Sequence, residues 1–511
     1  MVANIQGFKA LFNLIETLSK QSESAAIQEV MEAVAHYQPQ PLERDKLIRA
    51  LARQVGAGIK VVRQEYNMTL KKLNLVPLDL GFIIAQKTLD TFYGKKSLKR
   101  YPDGNFYVYD KTHWRMTTQD QVRSYIQQIA GEYLIQAEDK VSLKSLVNDA
   151  YASLCDFLGT DEDVLNFEEG PPPVLNFLNG ELWIAQDGSV ELRSHKPESR
   201  LFHCLPYIYD PKAKAPLYEQ AMLDIFAAAT NPVDMCRHWY EFFGLGIQSW
   251  RPTPCFFMMI GHGRNGKSVN LKTIQKALGP DAVLNDNLAT FQKDRFNVAA
   301  LHGKLLFVDD DINTKVVLAD GMIKKLSEPK TLSARHPYGR KKFSFKSVAL
   351  PVIAGNHYPG CDDLSEGMLR RINIIPFKRQ FTEEEAAPKL FETIWAQEMP
   401  GVINLALTGL QRLIKRGHFN PPEDCMIAMN EFLAHSNPLW CFIDECLEAD
   451  PKGRIKFPNF RSYFECWVSK QGFSKQPILD KTLRRKLEGL GFETVKNQGA
   501  WAIKGFCLKT S

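Results

Sequence analysis

The sequence predicts an α/β core with a parallel-rich sheet, preceded by helical and α+β domains and followed by a winged-helix-like domain. Three observations lead there. The apolar run Cys255-Phe256-Phe257-Met258-Met259-Ile260 passes directly into Gly261-His262-Gly263-Arg264-Asn265-Gly266-Lys267-Ser268 and then into the helix-like Val269 to Ile274, which reads as strand, glycine loop, helix. Two later segments, Lys304 to Val308 and Ser347 to Ala354, are apolar almost throughout, as strands covered on both faces of a sheet must be. The C-terminal stretch reads helix, helix, hairpin, and residues 452–511 carry 13 Lys/Arg against 4 Asp/Glu.

A chain of 511 residues exceeds one core and divides into several domains. Phe8, Leu11, Phe12, Leu14, Ile15 and Leu18, then Leu47, Ile48 and Leu51, recur at helical spacing and define a helical domain over 1–77. Residues 78–215 are mixed. Asn105 to Asp110 and His113 to Met116 read as short strands across a turn, Gln119 to Leu134 as a helix, and Val174 to Ile184 with Ser189 to Leu192 as a hairpin. Acids, glycine and prolines at 159–163 and 168–173 mark a boundary or an exposed connection. Residues 216–424 hold helices leading into the glycine loop and then the sheet. In 425–511, helices at 460–470 and 480–490 precede a hairpin around Gln498-Gly499, an order that makes the second helix a groove reader and Lys481, Arg484 and Arg485 its DNA contacts.

No run of about 18 apolar residues occurs, and the N-terminus lacks a basic region followed by an apolar one. The expectation is a soluble, cytoplasmic protein with no membrane partner. Ten cysteines occur without a Cys-x-x-Cys pair or a Cys/His cluster at zinc spacing, so reduced thiols are expected. A net charge of +6 is mild for this size, and its distribution says more than its total.

The glycine loop carries the first chemistry. Gly261, Gly263 and Gly266 let backbone N–H groups turn inward around a polyphosphate, with Arg264, Asn265 and Val269 completing the cradle. Lys267 reaches the β- and γ-phosphates and Ser268 places a hydroxyl on Mg²⁺. The following helix adds its positive end to the same anion site. Nucleoside triphosphate with Mg²⁺ is the expected ligand.

Four further features refine this. Asp309-Asp310-Asp311 ends an apolar strand, where a metal-holding acid and a water-polarising base must sit; Asp310 is favoured for the Mg²⁺ shell and Asp311 for the base, with Asp309 close behind. Asn356 ends the next strand, where an amide can bond both the γ-phosphate and the attacking water; a turn asparagine looks the same in sequence. Arg370-Arg371 precede the apolar Ile372 to Phe377, and an arginine at a subunit edge can complete a neighbour's site, although a surface ion pair reads identically. Finally, eight basic residues against the single acid Glu328 lie between Lys324 and Lys346. Within that segment Arg335, Tyr338, Arg340, Lys341 and Lys342 form a basic turn with an aromatic beside its tip, suited to holding single-stranded backbone by charge and a base by stacking.

The set as a whole resembles the superfamily 3 helicases. The similarity rests on Gly261-x(4)-Gly266-Lys267-Ser268, the acids 309–311, the basic segment, Asn356 before a proline, and Arg370-Arg371-Ile372 before Pro376-Phe377. Within that superfamily the chain is most similar to the poxvirus-type primase-helicases carried by phages, satellites and plasmids. The upstream stretch Leu175 to Leu182, His195-Lys196-Pro197, Leu205-Pro206-Tyr207 and Tyr209-Asp210-Pro211 resembles the domain preceding the helicase in that family. The resemblance spans roughly 80–415 and implies an AAA+ core. It implies a ring, usually a hexamer, that hydrolyses ATP at subunit interfaces and draws single-stranded or forked DNA through its channel, typically 3′ to 5′. Lys267 and Ser268 then form the Walker A pair, Asp310 and Asp311 the Walker B pair, Asn356 the sensor, Arg371 the arginine finger, and Tyr338 to Lys342 the channel hairpin.

The triple Asp departs from the commoner acid pair and leaves the base open. No carboxylate cluster of a metal-dependent primase is apparent in the first 80 residues, so a separate primase or loader, or none, is expected, in a bacterial host cell. A small-molecule kinase would need an acceptor pocket and lid rather than a paired arginine and a basic hairpin. An AAA+ switch that grips DNA without unwinding it, in origin recognition or defence, stays open beside the helicase.

Overall fold

The computed structural model describes residues 7–73, 79–94, 97–101, 104–136, 142–159, 172–291, 297–312, 318, 320–335, 342–361, 363–385, 388–436, 438–470, 480–489, 492–497 and 499–509. The chain forms two compact units, one of Met1–Asp110 with Arg115–Val164 and the other of Lys111–Trp114 with Leu165–Ser511.

The first unit has two cores. Helices α1 (Phe8–Glu16), α2 (Ser24–Tyr37), α3 (Pro41–Val55) and α4 (Ile59–Lys72) enclose Leu11, Ile15, Val34, Leu47, Leu51 and Tyr66. The apolar positions at helical spacing thus become the inward faces. The second core, around Ile84, Phe106, Ile126 and Leu154, is built by α5 (Leu80–Thr88), the antiparallel β1 (Leu98–Arg100) and β2 (Phe106–Tyr109), α6 (Gln119–Gln136) and α7 (Leu143–Leu158); β3 (Trp114–Thr117) follows β2 in the sheet order.

The second unit begins with the antiparallel meander β4 (Val174–Phe177), β5 (Gly180–Ile184) and β6 (Val190–Arg193). Leu175, Phe177, Leu182 and Ile184 share a core with Trp239 and Phe257 of the main body. The expected 78–215 domain is therefore divided, because the inner residues of β4 and β5 find their apolar partners downstream. The division falls at 164–165, within the acid- and proline-rich stretch, rather than at 215.

Helices α8 (Pro216–Ile225) and α9 (Pro232–Gly246) lead into the sheet. The first orphan amides of α8, Leu217 N and Tyr218 N, donate to the Glu398 carboxylate at 3.1 and 3.0 Å, a distant residue doing the work of an N-cap. The order then runs β7 (Phe256–Ile260), α10 (Lys267–Leu278), β8 (Val283–Asn285), α11 (Leu288–Phe291), β9 (Leu306–Ile312), α12 (Asp320–Leu326), the hairpin β10 (Thr331–Ala334) and β11 (Phe343–Lys346), β12 (Leu350–Gly355), α13 (Glu366–Leu369), β13 (Ile372–Pro376), α14 (Pro388–Gln397), α15 (Met399–Arg416) and α16 (Glu423–Ser436).

Strands pair in the order β13-β7-β12-β9-β8, all parallel. Every residue of β7 and β12 is buried, which is why both read as unbroken apolar runs. From β7 the chain travels to the far edge at β8, returns through β9 and β12, and crosses to β13. The C-terminal end of β7 therefore lies where the strand order reverses, the place at which open α/β sheets form their ligand crevice.

The C-terminal module comprises α17 (Pro438–Cys446), β14 (Leu447–Lys456), α18 (Phe457–Lys470), α19 (Asp480–Gly489), β15 (Thr494–Asn497) and β16 (Ala500–Leu508), with sheet order β14-β16-β15. Phe442, Phe460, Leu483, Leu487 and Ile503 fill its core. The helix, helix, hairpin order is present, with α17 and β14 added before it. Pro451 and Gly453 make β14 read as a turn, and a register shift between Ala449 and Arg454 lets the strand carry them. Cys425 of α16 belongs to the main core, whereas the module's core starts at Leu439.

Candidate functional site

The loop after β7 is shaped by its neighbours. Gly261 N donates to Gly355 O at 3.3 Å, tying the loop to the end of β12. Asn265 Nδ2 donates to Phe377 O just past β13 at 3.1 Å, and Phe381 N to Arg264 O at 2.8 Å. Arg264 pairs with Glu383 at 2.7 Å. The loop is thereby held from both flanking strands. Two of its glycines are required by space: a Cβ on Gly261 would press into the Phe377 carbonyl and lie 2.5 Å from Asn265 Nδ2, and one on Gly266, at φ +89°, would lie 2.8 Å from Ile225. Gly263 faces open space.

Lys267 opens α10 and is buried, with its ammonium donating to Gly261 O, to His262 O at 3.3 Å and to Asn265 Oδ1 at 3.1 Å. Burial pulls it down to about 8. A buried ammonium held only by carbonyl and amide oxygens is what an anionic polyphosphate would draw away and satisfy. Ser268 and Arg264 are exposed, and Val269 is half-buried. These residues fit a bound nucleoside triphosphate, with Ser268 Oγ available to a cation.

Register places the other groups. Gly355 is opposite Ile260 on one side and Ile312 on the other, so β7, β12 and β9 reach their ends level. Asn356 follows, exposed, between the loop and the acids. The acids lie within β9 rather than after it. Between the pairs Asp309–Ile353 and Ile312–Gly355, β9 has one residue more than β12, a bulge that breaks side-chain alternation. Asp309 is buried, 4% exposed, and accepts from Leu288 N at 2.8 Å, which secures the start of α11. Asp310 is exposed. Asp311 lies on the strand, and its side chain is outside the described set. Asp309 thus holds the start of α11, and Asp310 is the exposed one of the two acids whose side chains are described.

Arg371 differs from the expectation of an arginine at a subunit edge. Its side chain is 9% exposed, donates to Gly367 O, and pairs with Glu328 at 3.5 Å. The Arg370 side chain is exposed and makes no hydrogen bond or ion pair among the described residues. Of the pair, Arg371 is the one turned inward next to β13 and Arg370 the one exposed.

The basic segment holds an antiparallel hairpin, β10 with β11, registered from Thr331–Lys346 to Ala334–Phe343. Leu332, Ala334, Phe343 and Phe345 form its buried face, and the His302 ring lies against both phenylalanines. Arg335 and Lys342 are exposed at the free end; Tyr338, Arg340 and Lys341 lie outside the described residues. On α19, Lys481 and Arg485 are exposed. Arg484 instead stacks over the Trp501 ring at 4.5 Å and pairs with Glu488 at 3.3 Å, fastening the helix to the hairpin strand β16.

The contacts of the Phe377 carbonyl, the Phe381 N–H and the Glu383 carboxylate with the loop have no signal in the sequence, because nothing in a short segment after a strand indicates which loop it will meet. Among the described residues no group of three or more His, Cys, Asp or Glu is arranged to hold a metal, and no helix is long and apolar enough to cross a membrane.

Comparison with known proteins gives two segment matches. Residues 86–227 match the family model described as D5 N terminal like, and residues 259–371 match a family of unknown function, DUF5906. No curated protein matches the chain. Among solved structures, the A form apo structure of the NrS-1 C terminal region is similar with a TM-score of 0.41 at 12% identity, covering 83% of this chain and 98% of that one. Another A form apo structure and a further apo structure of the same region each give a TM-score of 0.42 at 14% identity, covering 84% of this chain and all of theirs. The chain thus carries a D5 N-terminal-like segment followed by a DUF5906 segment, the latter running from the end of β7 to Arg371.

Proposed function

We propose that this chain is an ATP-dependent DNA helicase of the superfamily 3, AAA+ kind, acting as a ring, usually a hexamer, in replication of a phage, satellite or plasmid-like element, with 3′-to-5′ polarity. The observation that carries the reading is the placement of β12 between β7 and β9. Gly355 pairs with Ile260 on one side and Ile312 on the other, so Asn356 follows a strand whose end is level with the start of the glycine loop and with the end of the strand carrying Asp310, which supports one shared site. When bound, ATP with Mg²⁺ supplies the phosphoryl group and the charge-neutralising cation.

The chain's own residues divide the labour. Loop amides and Lys267 hold the phosphates, Ser268 and Asp310 hold the cation, Asn356 orients water, and Asp310 or Asp311 polarises it. Arg370 extends towards a second copy of the chain. The β10–β11 hairpin supports the single-strand contact, with Arg335 and Lys342 at its free end, and α19 offers Lys481 and Arg485 to duplex or forked DNA. The match of 86–227 to the D5 N-terminal-like model supports the same reading.

ATP hydrolysis measured with and without single-stranded DNA tests this function. DNA-stimulated hydrolysis that disappears in Lys267→Ala is expected; hydrolysis unchanged by the substitution refutes the site.

A further inference from the structure

Two histidines stand at the mouth of the loop. His262 is the second residue after Ile260 and His357 the second after Gly355, and Ile260 and Gly355 are register partners on adjacent parallel strands. The two imidazoles consequently emerge side by side, edge to face, with centroids 5.4 Å apart and planes at 79°. Both are exposed, and neither ring makes a hydrogen bond among the described residues.

They flank the groups already placed. The His262 carbonyl accepts from the Lys267 ammonium at 3.3 Å, and His357 directly follows Asn356. Neither is carried on a loose turn. Tyr358 Oη donates to Glu431 on α16 at 2.9 Å, Ser436 Oγ donates to Pro359 O at 3.4 Å, and Leu318 N donates to Gly360 O at 2.8 Å. The loop itself is held by Asn265 and Phe381. An imidazole has at least one N–H donor in either protonation state, so a fixed pair offers two donors beside the outer end of the phosphate site.

We propose that His262 and His357 form a clamp for the terminal phosphate, donating ring N–H bonds to the γ-phosphate and so selecting a nucleoside triphosphate over the diphosphate. The clamp rests on the ATP reading and deepens it. Aromatic contact between the rings alone would stabilise the loop without distinguishing the two nucleotides, and this separates a binding role from a packing one.

The test is calorimetric titration of the full-length chain with Mg²⁺-ATPγS and Mg²⁺-ADP. His357→Phe and His262→Phe keep a ring and remove the donors; His357→Gln and His262→Gln keep a donor and remove the ring. The Phe variants are expected to lose about tenfold in ATPγS affinity, as for a hydrogen bond to a charged group. Their ADP affinity should stay within about twofold, a difference too small to represent a lost bond, and the Gln variants should recover much of the ATPγS binding. An unchanged ATPγS/ADP ratio in the Phe variants overturns the clamp, as does binding kept by Phe and lost by Gln. If the unsubstituted chain binds neither nucleotide, the ATP reading fails and the clamp with it; if it binds both and only the ratio test fails, the ATP reading stands alone.

Discussion

Gly261→Ala and Gly263→Ala are the same chemical change two residues apart, and the structure assigns them opposite outcomes. At Gly261 the new methyl group would press into the Phe377 carbonyl and lie 2.5 Å from Asn265 Nδ2, whereas ordinary contact begins near 3.4 Å. Either β13 or the Asn265 side chain must move, and the Asn265–Phe377 hydrogen bond of 3.1 Å joins the two. Overpacking costs about 1–3 kcal/mol, and leaving a buried polar partner unsatisfied costs about 1–3 kcal/mol. The combined loss is about 2–6 kcal/mol, partly relieved if the loop distorts, in which case nucleotide binding is lost instead. At Gly263 no atom lies within 4 Å of the new Cβ, and the change should stay within about 0.5 kcal/mol. Urea denaturation with nucleotide titration reads both quantities. Equal stability and equal nucleotide affinity in the two variants would refute the claim that the Phe377 contact shapes the loop.

Arg371→Ala should lower stability by about 1–3 kcal/mol by removing a buried side chain that bonds Gly367 O and pairs with Glu328, which then keeps only the exposed Lys330, seen by denaturation. Arg370→Ala should leave stability unchanged, keep nucleotide binding and abolish hydrolysis, with activity recovered on mixing with Asp310→Asn subunits; no recovery on mixing argues against a site shared between copies. Lys267 titrates at about 8 in the folded chain against an ordinary 10.5, so between those values the unfolded chain binds more protons and stability rises with pH. Denaturation of the nucleotide-free chain from pH 7.5 to 10.5 should show that rise, and Lys267→Met should remove its share. Lys481→Ala with Arg485→Ala should weaken duplex DNA binding and flatten its salt dependence, each lost phosphate contact lowering the slope by about 0.9; Arg484→Ala should instead loosen the C-terminal module, read as lower thermal stability.

Much of the core was legible because its signals are local. The loop at 261–268 needs only its own residues and the apolar runs beside it, and the continuous hydrophobicity of β7, β9 and β12 announced strands buried on both faces. The hairpin strands at 331–334 and 343–346 alternate as half-buried strands do. Other features depend on partners remote in sequence. Nothing around Arg371 indicates that Glu328 will take it inward, and nothing in Asp309-Asp310-Asp311 reveals the bulge that commits the first acid to Leu288 N. The meander at 174–193 reads like its predecessor's continuation, since only the three-dimensional core shows which apolar face it completes. Pro451 and Gly453 concealed β14 for a converse reason: their local turn signal is absorbed by an irregular strand pairing that tertiary packing sustains.

Strand displacement from otherwise identical duplexes bearing a 3′ or a 5′ single-stranded tail, with ATP and with Lys267→Ala as control, tests the central claim most directly. The account predicts displacement of the 3′-tailed substrate alone, abolished in Lys267→Ala. Absence of displacement on either substrate, with ATP hydrolysis intact, would contradict it and leave a DNA-gripping switch in its place.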